Sequence, residues 1–362
     1  MPDASASTER RPEQTEPAHP LLAPLDPTPP TAVTDEHRRW MLANMIASRV
    51  YSQRVFNLQR QGRAGTNAPV DGSEALLAGT SLALNPTTDW ILPQYREPVG
   101  LERFGPDVLD RYVLYALGHP DGGNIPEPTR VWPPQISLAT QVPHAVGLAW
   151  GMKQRGDEGC VLVYLGDGST SEGDFYEACN FAGVLDAPVI VVVVNNGWAI
   201  STPVASQTRA KNFAEKSHAF GIPGVTVDGT DPIAVFDATS DARSRAVAGA
   251  GPTLIEAVTY RLGPHTTADD PTRYVPEDEL STARERDGIV TLRRQLLADG
   301  LWSDELEAEI TAAADTRMEA AVQSGEARAV APDGFFDHVY AEPTPRLARQ
   351  RAEFWTDQGT RS

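Results

Sequence analysis

The sequence predicts an α/β fold, a doubly wound parallel sheet with helices on both faces, extended by helical segments at its N- and C-terminal ends. Three observations carry that expectation. Residues 161–165 and 189–194 are short, β-branched and uninterrupted apolar runs, as suits strands buried on both faces. Residues 172–184, between them, have the length and composition of a crossover helix. The later chain repeats the pattern, with a strand in 221–229, an amphipathic helix over 231–248 carrying Ile233, Phe236 and Val247 on one face, and a strand in 252–260. Strand–helix–strand alternation of this kind argues for a wound parallel sheet.

The remaining elements follow in order. Residues 1–31 are rich in Pro, Glu, Ser and Thr and read as a disordered Pro-rich tail. A folded domain is expected over 32–340 and a C-terminal extension over 341–362. Thr34 is an N-cap, followed by Asp35 and Glu36 in the first turn of a helix. Trp40, Met41, Ile46, Val50, Val55, Phe56 and Leu58 recur at helical intervals until Gly62. A second helix spans 74–84, and a short strand in 89–97 feeds the polar turn Gln94-Tyr95-Arg96-Glu97. Residues 106–117 read as helix, and the Gly- and Pro-rich stretch 119–134 as an irregular loop. Residues 135–141 lead into a helix over 142–153, and a short helix covers 212–220. Charged helices are expected over 280–299 and 303–324, the second capped by Ser303. Residues 337–351 read as a further short segment with a frayed end beyond.

Composition sets limits. A hydrophobic share of 41% supports a sizeable core. No apolar run reaches the roughly 18 residues of a membrane span, and the N-terminus lacks the apolar stretch of a signal peptide. Cys160 and Cys179 fall inside buried elements, which suits a reducing cytoplasm better than a disulfide framework. The net charge of −18 excludes a nucleic-acid binder working through a basic face.

The chemistry concentrates where the two central strands end. The first ends in Gly166-Asp167-Gly168 and, after 26 intervening residues, the second ends in Asn195-Asn196. Each piece alone is an ordinary turn. Together they place a carboxylate and an amide at the carboxyl ends of neighbouring strands, the edge where open parallel sheets bind ligands. Both side chains are hard oxygen donors suited to Mg²⁺. Gly166 and Gly168 leave backbone N–H groups for a phosphate, next to a helix N-terminus. Tyr95 and Arg96, at another strand end, add a phenol and a guanidinium that suit phosphate.

The segment GDGSTSEGDFYEACNFA…NNGWAISTP, together with QYRE, resembles the alpha subunit of the thiamine-diphosphate-dependent decarboxylating component of 2-oxo acid dehydrogenase complexes. The resemblance runs from about Ala32 to Tyr340. It implies that Asp167 and Asn196 bind Mg²⁺ through their side chains and Trp198 through its carbonyl. It implies that Tyr95 and Arg96 hold the diphosphate, with Gln94 nearby, and Gly166, Asp167, Gly168, Ser169 and Asn196 are expected to be cofactor-binding as well. Leu138 and Ile136 would lie against the cofactor rings. His265 would contact the cofactor and act in reductive acylation of a lipoyl group, on a loop supported by Arg261, Asp269 and Tyr274. The family places Arg after that tyrosine; here it is Val275. Gln135, Ser137, Thr140 and Gln141 align with a monovalent-cation site of the branched-chain enzymes, but the first two depart from its pattern, which leaves potassium open.

The same resemblance implies partners: a beta subunit that supplies the activating glutamate in an α2β2 assembly, and a lipoyl acyltransferase. The reaction would be oxidative decarboxylation of a 2-oxo acid. QYRE, SLATQ and HTTADD point to a branched-chain substrate of the 2-oxoisovalerate type, which is the main expectation. LQRQGRAG, PPQI and PTRY point to pyruvate, and acetoin dehydrogenase shares the architecture. A non-catalytic scaffold would have no need of Asp167, Asn196, Tyr95, Arg96 and His265 together.

Overall fold

Five parallel strands form the centre of the molecule: β1 (Trp90–Leu92), β2 (Val161–Gly166), β3 (Val189–Asn195), β6 (Gly224–Asp228) and β7 (Thr253–Val258), in the order β1-β2-β3-β7-β6. The computed structural model describes residues 19–124, 126–328, 334–337 and 339–361. β4 (Trp198–Ala199) and β5 (Thr202–Pro203) form a separate two-residue antiparallel ribbon just after β3. In β2 and β3 successive side chains enter opposite cores. Leu162, Tyr164, Ile190, Val192 and Val194 join one cluster, and Val161, Val163, Leu165, Val189, Val191 and Val193 the other. Both faces are therefore dry, which explains why these strands read as unbroken apolar runs.

Helices cover the two faces unequally. α1 (Asp35–Arg60), α2 (Glu74–Ala83), α3 (Val108–Ala116), α7 (Pro232–Val247) and α10 (Asp304–Ala327) bury Tyr51, Leu76, Leu109, Val235 and Met318 against one face. α4 (Gln141–Arg155) and α5 (Gly173–Leu185) bury Val142, Ala145, Phe175 and Ala178 on the other. The β2–β3 crossover uses α5 on one face, and the β6–β7 crossover uses α7 on the other. Winding thus reverses between β3 and β7, the topology expected of a doubly wound sheet. A third cluster joins Trp40, Phe236, Ile289, Leu296 and Ile310, anchoring α9 (Gly288–Ala298) beside α1. α6 (Val204–Gln207), α8 (Glu277–Glu285), α11 (Gly334–Asp337) and α12 (Pro345–Arg361) complete the helices among the described residues.

Local rules hold at several ends. Thr34 caps α1, accepting from the His37 N–H, while the His37 ring accepts from the Thr34 N–H. Ser303 caps α10 by accepting from the Leu306 N–H at 3.1 Å. The short helix expected over 212–220 is a 3-10 segment, Ala214–Phe220.

Three expectations are corrected. Of the tail, residues 1–18 lie outside the described residues, but the chain from His19 packs on α1. The Trp40 indole donates to the Ala23 carbonyl at 3.1 Å and the Asn44 amide to the Leu21 carbonyl at 3.2 Å, with Leu21, Leu22 and Leu25 packed against apolar neighbours. The single helix expected over 280–299 is two, α8 and α9. Asp287 breaks it by capping Ile289 and pairing with Arg49 at 2.6 Å, a contact from the other end of the chain. The chain end is not frayed beyond residue 351, since α12 continues to Arg361.

No helix among the described residues is long and apolar enough to cross a membrane. Cys160 and Cys179 are buried free thiols.

Candidate active site

The ends of β2 and β3 are joined before any ligand is considered. The Asp167 N–H donates to the Val194 carbonyl at 3.2 Å. The Asp167 carboxylate is buried, and burial pushes its pKa up. A hydrogen bond from Gln207 Nε2 to Oδ2, at 2.6 Å, opposes that shift. Asn196 is buried one residue past β3, and its Oδ1 accepts from the Trp198 N–H at 3.2 Å. Gly197 adopts φ +87°, a left-handed conformation glycine takes without penalty, and this turns the chain back at Trp198. A Cβ on Gly168 would stand 2.7 Å from the Ala199 Cβ, so the two turns approach this closely only because residue 168 has no side chain.

Gln94 ties β1 to the same edge. Its Oε1 accepts from the Gly166 N–H at 2.9 Å, and its Nε2 donates to the Ser169 hydroxyl at 3.1 Å. The Gly166 N–H, expected to face a phosphate, is therefore already bonded, and Gly166 serves the site by joining strands. Gly168 opens the 3-10 segment Gly168–Ser171, so its N–H has no partner within that segment.

Arg96 lies buried in the turn after β1. It donates to the Pro69 carbonyl at 2.5 Å, to the His265 carbonyl at 2.9 Å and to His265 Nδ1 at 3.1 Å. Among the described residues it forms no ion pair, and burial pulls its pKa down. A guanidinium only donates, so Nδ1 must be the acceptor and the imidazole proton sits on Nε2. Burial first, then the charges of Arg96 and Arg261, lower the His265 pKa to about 4. His265 is thus neutral near pH 7, with its proton on the nitrogen facing away from Arg96. The Tyr95 ring meets it edge-on at 6.3 Å.

A second buried guanidinium closes the loop. Arg261 donates to the Trp198 carbonyl at 3.1 Å, the Ile200 carbonyl at 2.8 Å and the Tyr274 hydroxyl at 2.6 Å. Tyr274 in turn donates to Asp269, which also accepts from the His265 N–H at 2.7 Å. With Val275 where the resemblance leads to Arg, the loop is held by Arg261, Tyr274 and Asp269. Arg261 also steadies Ile200, a β-branched residue at φ +55°, a conformation costing about 1–2 kcal/mol. Beside these groups lies a cavity of about 310 Å³ lined by Tyr95, Tyr112, Tyr115, Ile136, Leu138 and His265. Ile136 and Leu138 are 57% and 44% exposed.

The profile of the family described as "Dehydrogenase E1 component" matches residues 43–332. The pyruvate dehydrogenase E1 component subunit alpha of Staphylococcus epidermidis is 41% identical over 320 residues, which cover 88% of this chain and 86% of that protein. Its counterpart from Staphylococcus aureus is 43% identical over 295 residues, covering 81% and 79%. The chain belongs to the dehydrogenase E1 component family. It is an alpha-type chain of the thiamine-diphosphate-dependent 2-oxo acid dehydrogenases.

The residues present in this E1 chain fit that cofactor. Two buried guanidiniums, neither ion-paired among the described residues, suit a diphosphate. The Asp167 carboxylate, the Asn196 amide oxygen and the Trp198 carbonyl are hard oxygen donors, and each oxygen has accepting capacity beyond its present bond. Among the residues aligned with a potassium site, Gln141 donates its amide N–H to the Tyr164 carbonyl at 2.7 Å, which leaves its buried Oε1 without a hydrogen-bond partner among the described residues, and the Thr140 hydroxyl donates to the Ser137 carbonyl at 3.0 Å. The Gln135 N–H donates to the Gln94 carbonyl. Two residues of the E1 site escaped sequence reasoning. Gln207 touches Asp167 directly, and Lys216 donates to the Thr170 carbonyl and hydroxyl at 3.1 and 2.9 Å, behind the turn that carries Asp167. A glutamine nine residues after a Gly-Trp turn and a lysine amid aromatic residues carry no spacing signal of their own.

Proposed function

We propose that this chain is the alpha half of a pyruvate dehydrogenase E1 enzyme, which decarboxylates pyruvate and transfers the acetyl group to a lipoyl acyltransferase. The likeness to two pyruvate dehydrogenase alpha subunits, across more than four-fifths of this chain, favours pyruvate over the branched-chain oxo acid expected from the motifs. QYRE and SLATQ, which suggested the branched-chain reading, surround the cofactor site and so bear on the cofactor rather than the substrate.

The supporting observation for catalysis is the convergence of Asp167, Asn196, the Trp198 carbonyl, Arg96 and neutral His265 on one sheet edge. In this reading Mg²⁺ takes oxygens of Asp167, Asn196 and Trp198. Tyr95 and Arg96 bind the diphosphate, with the Gly168 N–H and Ser169 beside them. Leu138 and Ile136 offer apolar contact to the rings. Thiamine diphosphate supplies the electron sink that makes loss of carbon dioxide accessible. His265, fixed by Arg96, presents Nε2–H as a donor to charge that develops beside it. A beta subunit in an α2β2 assembly supplies the activating glutamate and covers the exposed Ile136, Leu138 and Ile200.

The test is co-expression with the beta subunit, followed by a panel of 2-oxo acids with an artificial electron acceptor. Pyruvate should be turned over with the highest kcat/KM. Preference for 3-methyl-2-oxobutanoate would restore the branched-chain reading and overturn this one.

A further inference from the structure

Gln207 ends the four-residue helix α6, directly after the β4–β5 ribbon that begins with Trp198. The Val204 N–H donates to the Gly197 carbonyl at 3.2 Å, so α6 is bound to the same turn that carries Asn196 and Trp198. The primary amide of Gln207 has two N–H bonds and one oxygen. One N–H goes to Asp167 Oδ2 at 2.6 Å and the other to the Thr202 carbonyl at 3.0 Å. Its Oε1 is shut off from solvent and has no hydrogen-bond partner among the described residues. A buried amide oxygen left without a donor has lost its water uncompensated, and such an atom calls for an explanation. It shares one carbon with the nitrogen that touches Asp167, so the orphan oxygen lies beside the carboxylate.

We propose that Gln207 is a positioning residue for the divalent metal: its N–H groups hold Asp167 with Oδ2 occupied and Oδ1 presented, and its orphan Oε1 accepts from a water in the metal's coordination sphere. This rests on the reading of Asp167 as a metal ligand. Outer partners of this sort orient ligating carboxylates and typically change metal affinity about 10- to 100-fold when removed. The ribbon gives the device rigidity, because one short unit carries both the Trp198 carbonyl and the Gln207 amide. Metal, carboxylate and water would then be set by two turns that are already bonded to each other.

The experiment is calorimetric titration of Mg²⁺ into this chain assembled with its beta subunit, at saturating thiamine diphosphate. It compares wild type, Asp167→Ala, Gln207→Met and Gln207→Asn. Gln207→Met should weaken Mg²⁺ about 10- to 100-fold while circular dichroism shows the metal-free fold retained. Cofactor affinity should return to the wild-type value when Mg²⁺ is raised to saturation, a recovery that general damage to the fold would not give. Gln207→Asn, one methylene too short to reach both acceptors, should also weaken Mg²⁺ and serves if the methionine variant does not fold. Unchanged Mg²⁺ affinity in the Gln207 variants, or a cofactor defect that excess Mg²⁺ does not repair, would overturn the proposal. Wild type that shows no Mg²⁺-dependent binding, or Asp167→Ala that binds as wild type does, would instead overturn the metal role of Asp167 and this inference with it.

Discussion

The two ends of the candidate site differ in how complete they are. At the polar end Asp167, Asn196, Arg96 and Arg261 are all buried, and each is held by at least one bond to another part of the sheet edge. At the apolar end Ile136 and Leu138 stand about half exposed beside a cavity of about 310 Å³. Buried polar groups must be partnered within the chain, or their desolvation is uncompensated. Apolar side chains carry no such requirement and can wait for another surface. Under the proposed function the polar end would hold the diphosphate and the open apolar end would be completed by the beta subunit.

That contrast predicts unequal losses. The largest is expected at the polar end: Asp167→Ala should abolish Mg²⁺-dependent binding of thiamine diphosphate while circular dichroism shows the fold intact. Wild-type affinity in that variant would remove the carboxylate from the metal site. Arg96→Leu should come next, with cofactor affinity at saturating Mg²⁺ falling about 10- to 100-fold, as loss of charge-assisted hydrogen bonds of roughly 1.5–3 kcal/mol implies. A loss no greater than that of Leu138→Ala would erase the distinction between the two ends. Leu138→Ala should cost about 1 kcal/mol, near fivefold, and only in the beta-assembled enzyme where the side chain is covered.

The smallest effect concerns protonation. His265 is held to a pKa of about 4 against an ordinary value of 6.5, chiefly by burial. The folded chain therefore binds fewer protons than the unfolded chain between those values. The resulting stability is fully present above pH 6.5 and is lost as pH falls toward 4. Imidazole NMR titration, with His265→Asn to identify the signal, should show a midpoint well below 6.5. Arg96→Leu should move it upward by removing the adjacent charge. A midpoint of 6.5 in the wild-type protein would contradict the lowering by burial and by the neighbouring Arg96 and Arg261 charges.

The central β2–α5–β3 unit was legible because its determinants are local. Unbroken apolar runs, two glycines and an Asn-Gly turn lie within about 40 residues of one another. The pairing of Arg96 with His265 joins elements 169 positions apart, so motif resemblance could single out both residues but could not give the imidazole tautomer. The break between α8 and α9 was hidden for a similar reason. Asp287 looks like any helix-surface acid until Arg49 and the cap at Ile289 claim it. Gln207 had no signal because its role depends on the fold of the β4–β5 ribbon. The packing of residues 19–25 on α1 was masked by a proline-rich composition, within which only Leu21, Leu22 and Leu25 supply apolar surface.

The proposed function requires that this chain supply one half of a shared site. The most direct measurement is pyruvate-dependent reduction of an artificial electron acceptor, with thiamine diphosphate and Mg²⁺, by the purified chain alone and after assembly with its beta subunit. The chain alone should show no turnover, and the assembly should be active. Turnover by the isolated chain would contradict that requirement.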